Sequence, residues 1–142
     1  MTGNPYQGHL AERVLGADPV ELIALLYEEL ARSIAEARRA LAAADPRQRA
    51  RAISCAMEIV CELDRSLNPA ASPELASRLS RLYAFLLEQL HSAHAQQIDA
   101  PLANAERVAR TLLEAWQALR SAQLQPAPLL QPHESPAVSL AG

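Results

Sequence analysis

Lysine is absent from this chain. All 13 basic residues are arginine, which reads first as compositional bias rather than a specific demand for guanidinium groups. Large aromatics are scarce, with one Phe, one Trp and three Tyr. The apolar half of the chain is therefore mostly Leu and Ala, both strong helix formers. Glycine occurs only at Gly3, Gly8, Gly16 and Gly142. That excludes a glycine-rich phosphate loop and predicts no left-handed turn between Ala17 and Ala141. The two cysteines, Cys55 and Cys61, would stand about 9 Å apart on one helix, beyond the reach of a disulfide. Two thiols without a framework suit a reducing compartment. An excess charge of one sign is also missing: 13 basic against 16 acidic residues give −3. Neither nucleic acid nor membrane insertion is expected. No apolar run approaches the ~20 residues of a bilayer span. Met1 to Leu10 lacks the basic start and apolar run of a signal peptide, so a cytoplasmic location is expected.

What remains is a sequence punctuated by proline. The proline-free intervals predict helices over Pro19–Ala43, Pro46–Leu67, Pro73–Gln96 and Pro101–Ala122. Asp18, Asp45, Ser72 and Asp99 precede them as N-caps, with Pro19 at the first helical position and Glu21 completing a capping box. Each interval carries an apolar stripe at three- and four-residue steps. These are Leu22, Leu26, Leu30, Ile34, Ala37, Leu41; Ile53, Ala56, Val60, Leu63, Leu67; Leu75, Leu79, Leu82, Leu86, Leu90, Ala93; and Leu102, Ala105, Ala109, Leu112, Trp116, Leu119. No period-two segment predicts a strand. The expected fold is all-α, an antiparallel up-and-down four-helix bundle over residues 18–123. Residues 1–17 read as an irregular arm, and the Pro-, Ser- and Ala-rich residues 124–142 as a disordered tail.

Catalytic signals are weak. Glu88 and His91 form one Glu-x-x-His motif, but a di-iron bundle needs two copies and two further glutamates. Both project away from the stripe of their helix, so no metal or cofactor is expected. His91 could serve a phosphotransfer bundle, but Ser92, Ala93 and His94 follow it where such a module has a lysine and then a glycine. Ser54 and Cys55 have no implied base partner, and no catalytic residue is assigned. Arg47, Arg49 and Arg51 cluster without interleaved aromatics, as a solvated helix end does.

The informative feature is surplus apolar surface. Ile23, Leu25 and Tyr27 widen the first stripe; Met57 and Ile59 flank the second; Tyr83, Phe85 and Leu87 flank the third. A core-facing helix needs an apolar arc of roughly 100°, and these arcs are wider. A thick core, a structural homodimer or grooves for a partner's amphipathic helix would each account for them.

Ordered motifs narrow the choice. Asn4-Pro5-Tyr6 opens the chain, and Ala17-Asp18-Pro19-Val20-Glu21-Leu22 leads into Leu25-Leu26-Tyr27-Glu28. Ala56-Met57-Glu58-Ile59-Val60-Cys61-Glu62-Leu63 runs on to Leu67-Asn68. Leu82-Tyr83-Ala84-Phe85-Leu86 and Glu114-Ala115-Trp116 follow. In order and spacing this resembles the flagellar export chaperone family FliS, from about Asn4 to Leu119. The resemblance implies a cytoplasmic bundle, not an enzyme, that binds the disordered C-terminal segment of flagellin. It implies that the bundle blocks premature polymerisation and aids type III export. The export gate and a co-chaperone are further candidate partners, and a weak homodimer is another. The resemblance and the surplus residues together put partner contacts at Tyr6, Leu10 and Val14 of the arm and at Leu25, Tyr27, Met57, Ile59, Tyr83 and Leu87. Three positions depart from the family pattern: His9 stands where a second arm aromatic is common, Ala84 where an acid is usual, and Phe85 in place of Tyr.

Overall fold

The structure, a computed structural model, describes residues 19–124. The arm with Tyr6, Leu10 and Val14, the Asp18 cap and residues 125–142 of the tail lie outside the described residues.

Four helices follow in order: α1 Pro19–Ala42, α2 Pro46–Arg65, α3 Pro73–Gln96 and α4 Ala100–Leu124. No strand occurs among the described residues. Three helices start at the expected prolines because proline's fixed φ and missing N–H suit a first turn. Asp45 caps α2 as expected, its side chain accepting from the Gln48 N–H at 3.2 Å. Ser72 corrects the expectation for α3: it precedes the helix in extended geometry, but its side chain makes no capping bond. Asp99 carries no observed side-chain cap either. Both its carboxylate oxygens are bonded by Arg38, while its backbone carbonyl accepts from the Ala103 N–H.

The absence of glycine does not prevent left-handed turns. Ala44 has φ 56° and Gln97 φ 58°. Gln97 ends α3, and its N–H returns to the Ala93 carbonyl. A left-handed residue with a Cβ costs about 1–2 kcal/mol, which the short linkers 43–45 and 97–99 absorb to reverse the chain.

Each of those linkers leaves the joined helix ends at most about 14 Å apart, far less than a helix length, and the joined helices pack side by side, so they run in opposite directions. Between α1 and α4 the pairings show the same sense: Glu21 approaches Arg120, Tyr27 approaches Trp116, and Arg38 bonds Glu106. The core runs through the bundle from Leu26, Leu30 and Ile34 of α1 to Ile53, Val60 and Leu63 of α2. Leu79, Leu86 and Leu90 of α3 and Leu102 and Leu112 of α4 complete it. Ala37, Ala56, Ala93, Ala105 and Ala109 are buried between them and allow close helix approach. Each fully buried Leu stabilises the fold by about 1.5–3 kcal/mol. α1 packs broadly on α2 and α4, whereas α3 meets its neighbours over a shorter contact.

The α3 stripe lies where expected at Leu79, Leu86, Leu90 and Ala93, which are buried, but not at two other positions. Leu75 and Leu82 are exposed, and Tyr83 takes a core position in their place. Leu119 of α4 is exposed as well. The Tyr83 hydroxyl meets the Tyr27 hydroxyl at 2.6 Å in the interior. Two buried hydroxyls that satisfy each other avoid the ~1–3 kcal/mol cost of an unpaired polar group.

Candidate functional site

The two ends of the bundle differ in chemistry. At the end that holds linkers 43–45 and 97–99, Arg38 bonds Asp99 through Nε and Nη2 at 2.8 and 2.7 Å and Glu106 through Nη1 at 2.8 Å. Hydrogen bonding from Arg38 holds the Asp99 carboxyl below its ordinary value. Burial pushes Glu106 up, but the bonds from Arg38 and Arg110 outweigh it and leave that carboxyl lowered. Gln48 closes the same end by donating to Glu36 at 3.2 Å.

The opposite end, where α1 begins, α4 finishes and linker 66–72 crosses, is apolar. Ile23, Leu67, Leu75, Leu79, Tyr83 and Trp116 line a hollow of about 220 Å³ there. Two of its lining residues touch the buried Tyr27: the Tyr83 hydroxyl bonds that of Tyr27, and the Trp116 ring is centred 6.1 Å from the Tyr27 ring. Burial, and next the bond to Tyr27, push the Tyr83 hydroxyl well above its ordinary value, so it stays protonated. Burial also raises Tyr27, against the opposing pull of its bond to Tyr83. The hollow therefore has neutral walls and offers burial, not acid–base chemistry.

An oily row leads out of this hollow along α3. Leu75 is 50% exposed, Leu82 36% and Phe85 37%. Their spacing puts them on one side of the helix. Gln89, one turn beyond Phe85 on that side, accepts a bond from Asn104 of α4 at 3.1 Å, so the row borders the α3–α4 seam. Leu119 of α4, 43% exposed, also lies toward the open end.

The expected contact residues divide into three groups. Leu25, Tyr27, Ile59 and Tyr83 are buried, which corrects the premise that they widen an open face. Tyr27, Ile59 and Tyr83 belong to the core cluster. Met57 and Leu87 are half-buried and pack against the outside of that cluster. Tyr6, Leu10 and Val14 lie outside the described residues. The residues that the stripe misplaced, Leu75, Leu82 and Leu119, are the exposed ones. The missed signal was the tyrosine pair, since a Tyr on each of two amphipathic helices gains by bonding its partner inside.

Glu88, His91 and His94 are exposed. Among the described residues no three His, Cys, Asp or Glu side chains group as metal ligands. None of the described helices is long and apolar enough to cross a membrane. Neither cysteine forms a disulfide; Cys55 is buried and Cys61 exposed.

Compared with known families, residues 2–123 match the family model described as "Flagellar protein FliS". No curated protein matches the chain.

Proposed function

This chain belongs to the FliS family, whose members are flagellin-specific export chaperones, and from that premise we propose that it binds the C-terminal segment of flagellin in the cytoplasm. On this reading the chaperone keeps flagellin from polymerising early and hands it to the flagellar type III export gate. The observation that carries the reading is the exposed row Leu75, Leu82 and Phe85 beside the α3–α4 seam. A client segment that orders on binding loses conformational entropy and needs a broad apolar contact to offset it. An amphipathic helix laid along the row supplies that contact through anchors three, four and seven residues apart.

Met57 of α2 and Leu87, which lies across α3 from that row at 100° per residue, are half-buried and are proposed as a separate contact. Leu25, Tyr27, Ile59 and Tyr83 reach a client only where what covers them is displaced; otherwise they shape the surface from within. Tyr6, Leu10 and Val14 are proposed as arm contacts. The role requires no bond to be made or broken, so no catalytic residue enters it.

The test mixes the full chain with a flagellin C-terminal peptide. Co-elution and a gain of helical circular dichroism beyond the sum of the parts are expected. Leu75→Asp and Phe85→Asp are expected to weaken binding by tenfold or more, about 1.4 kcal/mol, with the bundle's own helicity intact. Absence of co-elution at micromolar concentration overturns the reading.

A further inference from the structure

The hollow at the open end has a candidate occupant in the same chain. The family match stops at residue 123, while the chain continues from Leu124 through Gln125-Pro126-Ala127-Pro128-Leu129-Leu130-Gln131-Pro132. Leu129 and Leu130 are the only large apolar residues between Leu124 and Val138, and Glu134 is the only formal charge after α4. We propose that the Leu129–Leu130 pair of the C-terminal segment docks in the hollow lined by Leu67, Leu75, Leu79 and Trp116. It would then occupy the apolar end of the bundle in the absence of another ligand.

Reach, chemistry and stiffness all favour this occupant. Between Trp116 and Leu124, α4 rises about 12 Å at 1.5 Å per residue. The chain from Leu124 to Leu129 covers about 15 Å when extended at 3.1 Å per residue. A reversal after Leu124 therefore returns Leu129 to the level of Trp116. The hollow of about 220 Å³ admits leucine side chains and is walled by neutral groups. It opens onto the half-exposed Leu75, so the pair meets apolar surface before it enters. Pro126, Pro128 and Pro132 each fix one φ and narrow the choices of the residue before them, so a chain of this sequence has less entropy to lose on docking.

The contact is intramolecular and needs no client, so it stands apart from the flagellin reading. If that reading also holds, the segment competes with flagellin for the open end. A hollow filled nine-tenths of the time by the tail lowers apparent client affinity roughly tenfold, by the free fraction.

Trp116 lines the hollow and is the only tryptophan in the chain, so its emission reports occupancy directly. The full chain is compared with L129D/L130D, whose changes lie outside the four helices. Without client, the variant is expected to emit at longer wavelength and to be quenched more readily by acrylamide, with unchanged helical circular dichroism. A synthetic peptide of residues 125–135 added to the variant is expected to restore the parental emission, and a scrambled peptide is not. Identical emission and quenching in parent and variant overturn the proposal. So does a Trp116 change that follows Tyr6→Ala alone, which assigns the hollow to the arm, or protein concentration alone, which assigns it to a second copy. With flagellin peptide present, the variant is expected to bind roughly tenfold tighter. A Trp116 response without peptide binding in either form sinks the client reading and leaves the tail contact standing.

Discussion

The two ends of this bundle are built on opposite principles. At the closed end, short linkers reverse the chain twice, and Arg38 ties α1 to Asp99 and to Glu106 of α4. At the open end a longer linker, 66–72, crosses between α2 and α3, and an apolar hollow stands under Trp116. The ion pair between α1 and α4 at that end, Glu21–Arg120, is long at 3.9 Å and more than a third exposed, so it fixes helix position only weakly, whereas a buried pair would cost desolvation whenever a ligand came or went. Neutral apolar walls carry no such penalty. The division places register at one end and exchangeable surface at the other.

The sharpest test of that division pairs two leucine truncations on α3. Leu90, fully buried toward the closed end, is expected to cost about 2–5 kcal/mol when changed to Ala. Leu75 at the lip of the hollow is expected to cost no more than about 0.5 kcal/mol. Urea denaturation measures both; a comparable loss for Leu75→Ala would erase the distinction between the ends.

The tyrosine pair is the next largest effect. Tyr83→Phe leaves the buried Tyr27 hydroxyl unpaired and is expected to cost about 1–3 kcal/mol. The double change with Tyr27→Phe is expected to cost less than the sum of the singles, because both hydroxyls then leave together. Additive losses in the cycle would mean that the 2.6 Å contact does not couple α1 to α3.

A smaller effect belongs to the closed end. Arg38 and Asp99 are both more than a third exposed, so water and salt screen the pair, and Arg38→Gln is expected to cost about 1 kcal/mol at most. Asp99 and Glu106 both lie below their ordinary 3.8 and 4.5 in the fold. Their stabilising contribution is therefore complete above those values and disappears as pH falls through the lowered ones. The gap between parent and R38Q is expected to close in acid and in molar salt. A gap that survives both assigns the loss to packing of the arginine stem.

The smallest change runs the other way. Gln97→Gly relieves a left-handed φ of 58° and is expected to stabilise the fold by roughly 0.5–1 kcal/mol, net of the entropy glycine adds to the unfolded chain. Thermal melts of the two forms check it.

The legibility of the sequence follows the range of the interactions. Helix starts were readable because Pro46 after Asp45 and Pro73 after Ser72 act on their own first turns. The Ser72 cap failed because that geometry depends on how linker 66–72 enters α3. The Arg38 clasp was invisible: its partners lie 61 and 68 residues away, and periodicity says nothing about charges brought together by folding. The α3 stripe holds at Leu79, Leu86, Leu90 and Ala93 and fails at Leu75 and Leu82. Leu82 and Tyr83 both fit a three-four pattern with Leu79 and Leu86, and the bond from Tyr83 to Tyr27 on another helix is an interaction that periodicity does not record. Ala44 and Gln97 carry no local mark of left-handed geometry, so glycine counting missed them. The family motifs were legible because they span the chain in order, and the match over residues 2–123 follows the same extent.

Cys55 and Cys61 sit six residues apart on α2 with opposite exposure. A maleimide dye will find one thiol at once and the other only when α2 lifts from its neighbours. The slow second labelling step is then a clock for breathing of the bundle. Run with and without a bound peptide, it would show whether a client clamps the helices together or pries them apart, with no engineered residue.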